Sequence, residues 1–253
     1  MCGIAGLVVP QGDSTNEVAH VEPVRRMIRR MNSRGPDAEG LWTGPGVVLG
    51  HKRLTIIDLD PRSNQPMSFA NERYVLVFNG EIYNYRALRS ELESQGELFH
   101  TASDSEVILA LYARMGAKML PRLRGMFAFA IWDVQSRELF LARDPYGIKP
   151  LYYAQTPQGV LFASQVKALL ASELIEPEIE PAGVAGFYLW GSVPEPWTTF
   201  KDVLSLPAGS WMIIRSALPS SPVKWHNISE AWSREQITLG ERDVQERVRA
   251  AIA

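Results

Sequence analysis

The chain has a single cysteine, Cys2, and four histidines in 253 residues. One cysteine excludes an internal disulfide framework and a thiolate zinc cluster, and it fits a reducing compartment. The histidines, His20, His51, His100 and His226, lack the spacing of metal ligands, so no metal is expected. No apolar run approaches the roughly 20 residues of a membrane span, and the first residues lack the basic n-region of a secretory signal. Excess charge is also missing: 26 Lys and Arg against 28 Asp and Glu leave a formal net charge of -2. That balance gives no electrostatic footprint for nucleic acid or a membrane surface. These absences predict a cytoplasmic protein whose partner is a small molecule or another domain. Apolar surface is plentiful, and a 46% hydrophobic composition can fill a sizeable core.

The one cysteine stands second, in Met1-Cys2-Gly3-Ile4-Ala5-Gly6. Trimming of the initiator methionine, which a small following side chain favours, would make it N-terminal. Cys2 would then carry a thiol nucleophile and a free α-amine whose ordinary pKa of about 7.7–8.0 lies close to operating pH. A thiol of pKa about 8.5 is only a few per cent ionised at neutral pH, so an amine acting as base, directly or through one water, replaces a histidine partner. On these residues alone, a small buried cysteine packing like an apolar side chain is an equally good account.

Apolar periodicity predicts a buried strand over residues 4–9 and an amphipathic helix over 21–32. A turn-rich loop, Ser33-Arg34-Gly35-Pro36-Asp37, precedes strand-like stretches over 47–58 that the polar triplet His51-Lys52-Arg53 interrupts. Residues 74–78 read as a buried strand running into Asn79-Gly80-Glu81, and Asn-Gly between apolar runs is the strongest short hairpin signal. Helices are expected over 86–93 and after Ser103, where Ser103 and Glu106 have capping-box spacing. Strands over 126–132, 138–142, 151–154 and 160–163 follow in close succession and imply an antiparallel meander. Short helices over 165–172 and 181–188, a strand over 211–214 and a Ser/Pro-rich linker over 216–222 come next. A helix pattern over 241–253, with Val244, Val248 and Ile252 four residues apart, stops inside its repeat and suggests a truncated neighbouring domain.

Taken together, Cys2, Arg53, Asn79-Gly80-Glu81 and Asp104 resemble the glutaminase domain of class II glutamine amidotransferases, the N-terminal nucleophile hydrolases, and that of asparagine synthetases most closely. The resemblance covers residues 1–214 and is carried further by Arg34-Gly35-Pro36-Asp37, Gly50-His51-Lys52-Arg53-Leu54, Ser103-Asp104-Ser105-Glu106 and the run from Arg143 to Tyr153. It implies an α+β fold, a four-layer αββα sandwich, with Cys2 at the tip of a central strand. It also implies hydrolysis of L-glutamine through a Cys2 thioester, with Asn79 and Gly80 as the oxyanion hole. Arg53 would hold the substrate α-carboxylate and Asp104, with Glu81, its α-ammonium; backbone groups of Ile56 and Ile57 would extend the pocket. The loop at Arg34 would close over glutamine, although Ser33 stands where asparagine synthetases commonly have histidine. The glutaminase domain needs no cofactor. ATP and magnesium are implied for a C-terminal synthetase domain that receives the ammonia, and residues 215–253 would be the linker and first helix of that domain. A homodimer is compatible with the resemblance.

Each residue also has a plainer account. Arg53 could be a solvated arginine, Asn79-Gly80 a tight turn that leaves the glycine N–H open, and Asp104 a first-turn acid favoured by the helix dipole. The run from Arg143 to Tyr153 reads as a strand, a turn and a strand with no catalytic role. Three rival functions stand beside glutamine hydrolysis: a non-catalytic interaction domain of this fold, an N-terminal-cysteine amidase for acylated amides, and a glutaminase serving an acceptor other than aspartate. The paired Arg53 and Asp104 favour a free amino acid as substrate.

Overall fold

The computed structural model describes residues 1–10, 17–233 and 240–252. In chain order the strands are β1 (Gly3–Val8), β2 (Ala38–Gly44), β3 (Val47–Arg53), β4 (Met67–Phe69), β5 (Tyr74–Ile82), β6 (Gly125–Asp133), β7 (Glu138–Arg143), β8 (Tyr152–Thr156), β9 (Gly159–Ala163), β10 (Val203–Ser205), β11 (Ser210–Arg215), β12 (Leu218–Pro219) and β13 (Val223–Lys224). The helices are α1 (Glu17–Arg30), α2 (Tyr85–Ser94), α3 (Asp104–Met115), α4 (Val166–Leu170), α5 (Pro181–Trp190), α6 (Ile228–Ser233) and α7 (Glu241–Ile252). One antiparallel sheet runs β10-β8-β9-β1-β3-β2 and the other β12-β11-β7-β6-β5-β4, with β13 on β11.

Alternation along the strands fixes the layers, because successive side chains point to opposite faces. Ile4 and Val8 of β1 pack with Leu49 against Val75, Val77, Ala130 and Trp132 of the other sheet. Ala5 and Leu7 face outward onto Val24, Met27 and Ile28 of α1. On the far side, Phe78, Phe127 and Phe129 meet Leu88, Ile108 and Leu111 of α2 and α3. The result is the αββα order that the resemblance implied, with β1 in the middle of its sheet and Cys2 at its start.

Several sequence expectations change. The four successive strands are two hairpins: β6 and β7 belong to one sheet, β8 and β9 to the other. Alternation tells a strand which faces it has but not which sheet it joins. Asp144 makes the crossing: fully buried, its carboxylate accepts the backbone N–H groups of Phe127, Tyr146, Ile148 and Lys149 at 2.9–3.2 Å. The triplet His51-Lys52-Arg53 does not interrupt a strand; it completes β3, with all three side chains buried. Strand β2, which pairs with β3 along its length, carries no clear apolar alternation and was not expected. Asn79-Gly80 is no turn, since both residues lie within β5 opposite Ala128 and Phe127. The sheet also runs past residue 214: β12 and β13 pair with β11 across the stretch expected to be a linker, and Trp225 stacks on Phe127 at 6.1 Å. The C-terminal helix forms over Glu241–Ile252 as its pattern predicts, and residue 253 lies outside the described residues. Among the described residues no helix is long and apolar enough to cross a membrane, and no cluster of three His, Cys, Asp or Glu could hold a metal ion.

Candidate active site

Cys2, Arg53, Ile56, Ile57, Asn79, Gly80, Glu81 and Asp104 all line one open pocket of about 680 Å3. The topology brings them there. Strand β1 lies beside β3, so Cys2 emerges next to the end of β3 that carries Arg53, while β5 delivers Asn79–Glu81 from the facing sheet and α3 begins at Asp104.

Cys2 is half-buried; its Sγ accepts from Leu54 N at 3.4 Å and lies 3.6 Å from Leu54 O. Burial pushes the thiol pKa up and the Leu54 N–H opposes it, so the thiol is protonated at neutral pH and needs a base to react. With Met1 in place the free α-amine belongs to Met1, and burial lowers its pKa.

Arg34, which the sequence assigned only to a loop, donates from Nε to Cys2 O at 2.8 Å. The hydrogen-bond network assigns the Asn79 amide so that its nitrogen donates to Cys2 O at 3.0 Å and its oxygen accepts from Arg34 Nη2 at 3.2 Å. One amide hydrogen of Asn79 is thereby used, and its second remains available to a substrate. The loop of Arg34 is packed tightly, for a Cβ on Gly35 would come within 2.4 Å of the Lys52 carbonyl carbon.

Strand pairing explains the exposure of the Gly80 N–H. Phe127, opposite Gly80, directs both backbone groups to Asp144: its N–H to Oδ2 at 3.2 Å and its carbonyl to Asp144 N at 2.8 Å. Gly80 therefore sits at a non-hydrogen-bonded pair, and its N–H points to the opposite edge of β5. Strand β4 covers that edge only along Tyr74–Leu76. The neighbours of the same parity confirm the direction, since Phe78 N donates to Gln65 Oε1 at 2.6 Å and Ile82 N to Asp104 Oδ2 at 3.0 Å. Between them the Gly80 N–H opens into the pocket. Only glycine fits there, because a Cβ would lie 2.3 Å from Met126 O.

Arg53 is buried and held by a ring of acceptors. Nη1 donates to Asn64 Oδ1 at 2.6 Å and to Asp60 O at 3.3 Å; Nη2 donates to Asp58 O and, at 3.4 Å, to Ile57 O. Each terminal nitrogen thus has one short bond and one long one. A carboxylate replacing the two long bonds would be gripped at both oxygens while the short bonds keep the guanidinium in place. Ile57 lines the pocket and its carbonyl accepts from Arg53, and Ile56 is 67% exposed at the rim.

Asp104 is 4% exposed, and burial raises its pKa to about 6, with the nearby Glu81 adding to the rise. Its helix is capped by Ser103, which accepts from Ser105 N at 3.0 Å, while Glu106 turns to His100 N and Thr101 N rather than closing the capping box. The N-terminal placement of Asp104 and its pocket position hold together. Gln65, unnoticed in the sequence, ties the wall by donating to Ser105 Oγ at 3.0 Å. His51, buried and held neutral by a pKa near 4, donates from Nε2 to Phe78 O at 3.1 Å and joins β3 to the residue before Asn79.

A glutamine amidotransferase domain family matches residues 1–225. The chain is 40% identical over 219 residues to asparagine synthetase (glutamine-hydrolysing) 1 of Bacillus subtilis, covering 85% of this chain and 34% of that protein. It is 39% identical over 186 residues to amidase chry2 of Gibberella zeae, covering 70% of this chain and 27% of that protein. The chain thus spans about a third or less of these relatives' lengths. A solved structure of glutamine phosphoribosylpyrophosphate amidotransferase from Bacillus subtilis, 19% identical, superposes with a TM-score of 0.65 over 88% of this chain and 49% of its own, which shows the shared fold. Fold and family match agree, and the chain belongs to the class II glutamine amidotransferases.

Proposed function

We propose that this domain, once Met1 is removed, hydrolyses L-glutamine to glutamate and ammonia through a thioester on Cys2. The observation that carries the reading is the convergence on one pocket of a thiol, two free oxyanion donors at Asn79 and Gly80, a cation at Arg53 and a carboxylate at Asp104. Sγ attacks the side-chain carbonyl carbon as the Cys2 amine takes the thiol proton, and the carbonyl oxygen becomes an oxyanion facing the Asn79 and Gly80 N–H groups. The amine returns the proton to the leaving nitrogen, ammonia departs and the thioester remains. Water, deprotonated by the same amine, then releases glutamate. Arg53 and Asp104 select a substrate that has both an α-carboxylate and an α-ammonium, which a peptide-bound amide lacks.

The ammonia passes to a C-terminal synthetase domain, with α7 as its first helix. The coverage of the relatives supports a further domain of that kind. ATP and magnesium act there; among the described residues of this domain no group of three His, Cys, Asp or Glu could hold a metal ion. Aspartate is the acceptor favoured by the relatives named asparagine synthetase.

Replacing Arg53 with alanine is expected to raise the glutamine KM about ten- to hundredfold with a smaller change in kcat, the worth of hydrogen bonds to a charged group. An unchanged KM in steady-state assays would remove Arg53 from the substrate site.

Asp104 sets a pH dependence. The substrate ammonium pairs only with the ionised carboxylate, whose pKa is about 6 in the free enzyme. As pH falls through that value the free enzyme loses its partner, so kcat/KM for glutamine steepens toward a two-proton fall, one from the amine and one from Asp104. The bound ammonium lowers the Asp104 pKa, so kcat at saturation escapes the second proton. In Asp104→Asn the steepening should vanish and KM should be high throughout; a two-proton limb that persists in this variant would contradict the assignment.

A further inference from the structure

The run from Arg143 to Lys149 has no part in the function proposed above, yet it is built as a clamp around one residue. Asp144 accepts the Lys149 N–H at 2.9 Å, and Arg143 donates from Nε to the Lys149 carbonyl at 2.8 Å. Arg143 is itself fixed by Gly147 O at 2.7 Å, Leu206 O at 2.6 Å, Ser205 Oγ at 2.9 Å and the Glu195 carboxylate. Both backbone groups of Lys149 are therefore held, and its side chain, 4% exposed, lines the pocket of Cys2. The ammonium has no carboxylate within ion-pair distance among the described residues; its Nζ lies 3.3 Å from Met1 Sδ. A buried cation without a counter-ion is costly, and folds keep such groups where they have work.

We propose that Lys149 is a positioning residue for charge: its ammonium, held beside the N-terminus by the clamp, disfavours protonation of the Cys2 α-amine and keeps that amine a base at neutral pH. The contact with Met1 places Nζ at the chain start. Trimming of Met1 takes away the sulfur and leaves a new α-amine on Cys2, one residue from where the present one stands. A neighbouring cation lowers the pKa of an amine, because it repels the protonated form. On the Met1 amine both Arg34 and Lys149 act in this sense, after burial. The other charged groups facing the site are Arg53 from β3, Asp37 from the loop before β2, Glu81 from the end of β5 and Asp104 from α3. Asp37, bonded by Thr55 N at 2.7 Å, keeps its charge and opposes the two cations on the Met1 amine, though less than Lys149 acts; the Cys2 thiol opposes them when ionised, and Asp104 is bonded by Ile82 N. The inference rests on the Cys2 amine being the base.

Because Cys2 is the one cysteine in the sequence, feeding labelled cysteine puts a single 13C,15N reporter in the protein. The test is the NMR titration of that residue, with Met1 removal verified by intact mass, in the unaltered protein, Lys149→Met and Lys149→Arg. Methionine keeps the length and apolar stem and removes a buried unpaired charge, so the fold should tolerate it. The amine midpoint is expected to rise by about half to one pH unit in Lys149→Met and to return in Lys149→Arg. The acid limb of kcat should move with it, while the glutamine KM stays within about twofold. A midpoint that does not move in Lys149→Met would overturn the inference, as would a large KM rise with an unmoved midpoint, which would make Lys149 a substrate contact. If the midpoint moves but the acid limb of kcat does not, the charge effect stands and the amine's role as base is what fails.

Discussion

Cys2→Ala is expected to abolish glutamine hydrolysis, a loss of at least about 10,000-fold, because removing a covalent nucleophile leaves only binding and the oxyanion donors. The fold should barely notice. The Cys2 side chain is half-buried and makes only weak sulfur contacts with Leu54, so truncation should cost no more than about 1 kcal/mol. Glutamate release and a thermal melt on the same preparation check both halves. Turnover within tenfold of the unaltered enzyme would remove the thioester from the mechanism, whereas a lost fold would leave the variant uninformative and call for Cys2→Ser in its place.

Asn79→Ala is expected to lower kcat by about a hundred- to thousandfold, the usual worth of one oxyanion donor, with little change in KM. Here the side chain has a second task, because the same amide joins Cys2 O to Arg34. Asn79→Asp keeps one half of that second task. Its carboxylate can still accept from Arg34, but it sets an acceptor against Cys2 O and presents negative charge to the developing oxyanion, so it should be at least as inactive as the alanine variant. Steady-state kinetics in which Asn79→Asp retains kcat, or in which Asn79→Ala loses KM rather than kcat, would show that Asn79 contacts the ground-state substrate and not the oxyanion.

The chain's local patterns carried a good deal of this. Apolar runs marked β1, β5, β6 and β11, helical spacing marked α1, α2 and α7, and the position of one cysteine marked a candidate nucleophile that only the wider resemblance favoured over a packing role. What they could not carry was partnership across distance. Residues 126–163 alternate equally well for one sheet or two, and the division depends on Asp144 gathering four N–H groups at the crossing. The polar triplet of β3 is buried because partners outside the strand satisfy it: Lys52 pairs with Glu39 at 2.7 Å, His51 reaches Phe78, and the loop just after β3 folds back to ring Arg53 with the carbonyls of Ile57, Asp58 and Asp60. For the same reason Asn79-Gly80 looked like a turn; its strand conformation is imposed by nine registered pairs with β6, which outweigh the local preference of the dipeptide. Arg34, Gln65 and Lys149 enter the site through such distant contacts.

Placement of the site also shows a conflict between stability and use. Asp104 is kept in a setting where burial raises its pKa from 3.8 to about 6. Between those values the unfolded chain binds fewer protons than the folded one, so this group alone makes the free protein less stable as pH rises. A bound ammonium relieves that cost, and a site with this property favours a cationic ligand over a neutral one.

The most direct test is glutamine-dependent glutamate release, with intact mass recorded on the same sample to establish whether Met1 is present. Protein lacking Met1 should turn over glutamine, and a glutamine-like alkylator should stop it while adding one equivalent at Cys2. Protein retaining Met1 should be inert, since its Cys2 nitrogen is a peptide nitrogen and cannot act as the base. Turnover by a preparation whose Met1 is wholly intact would contradict the account.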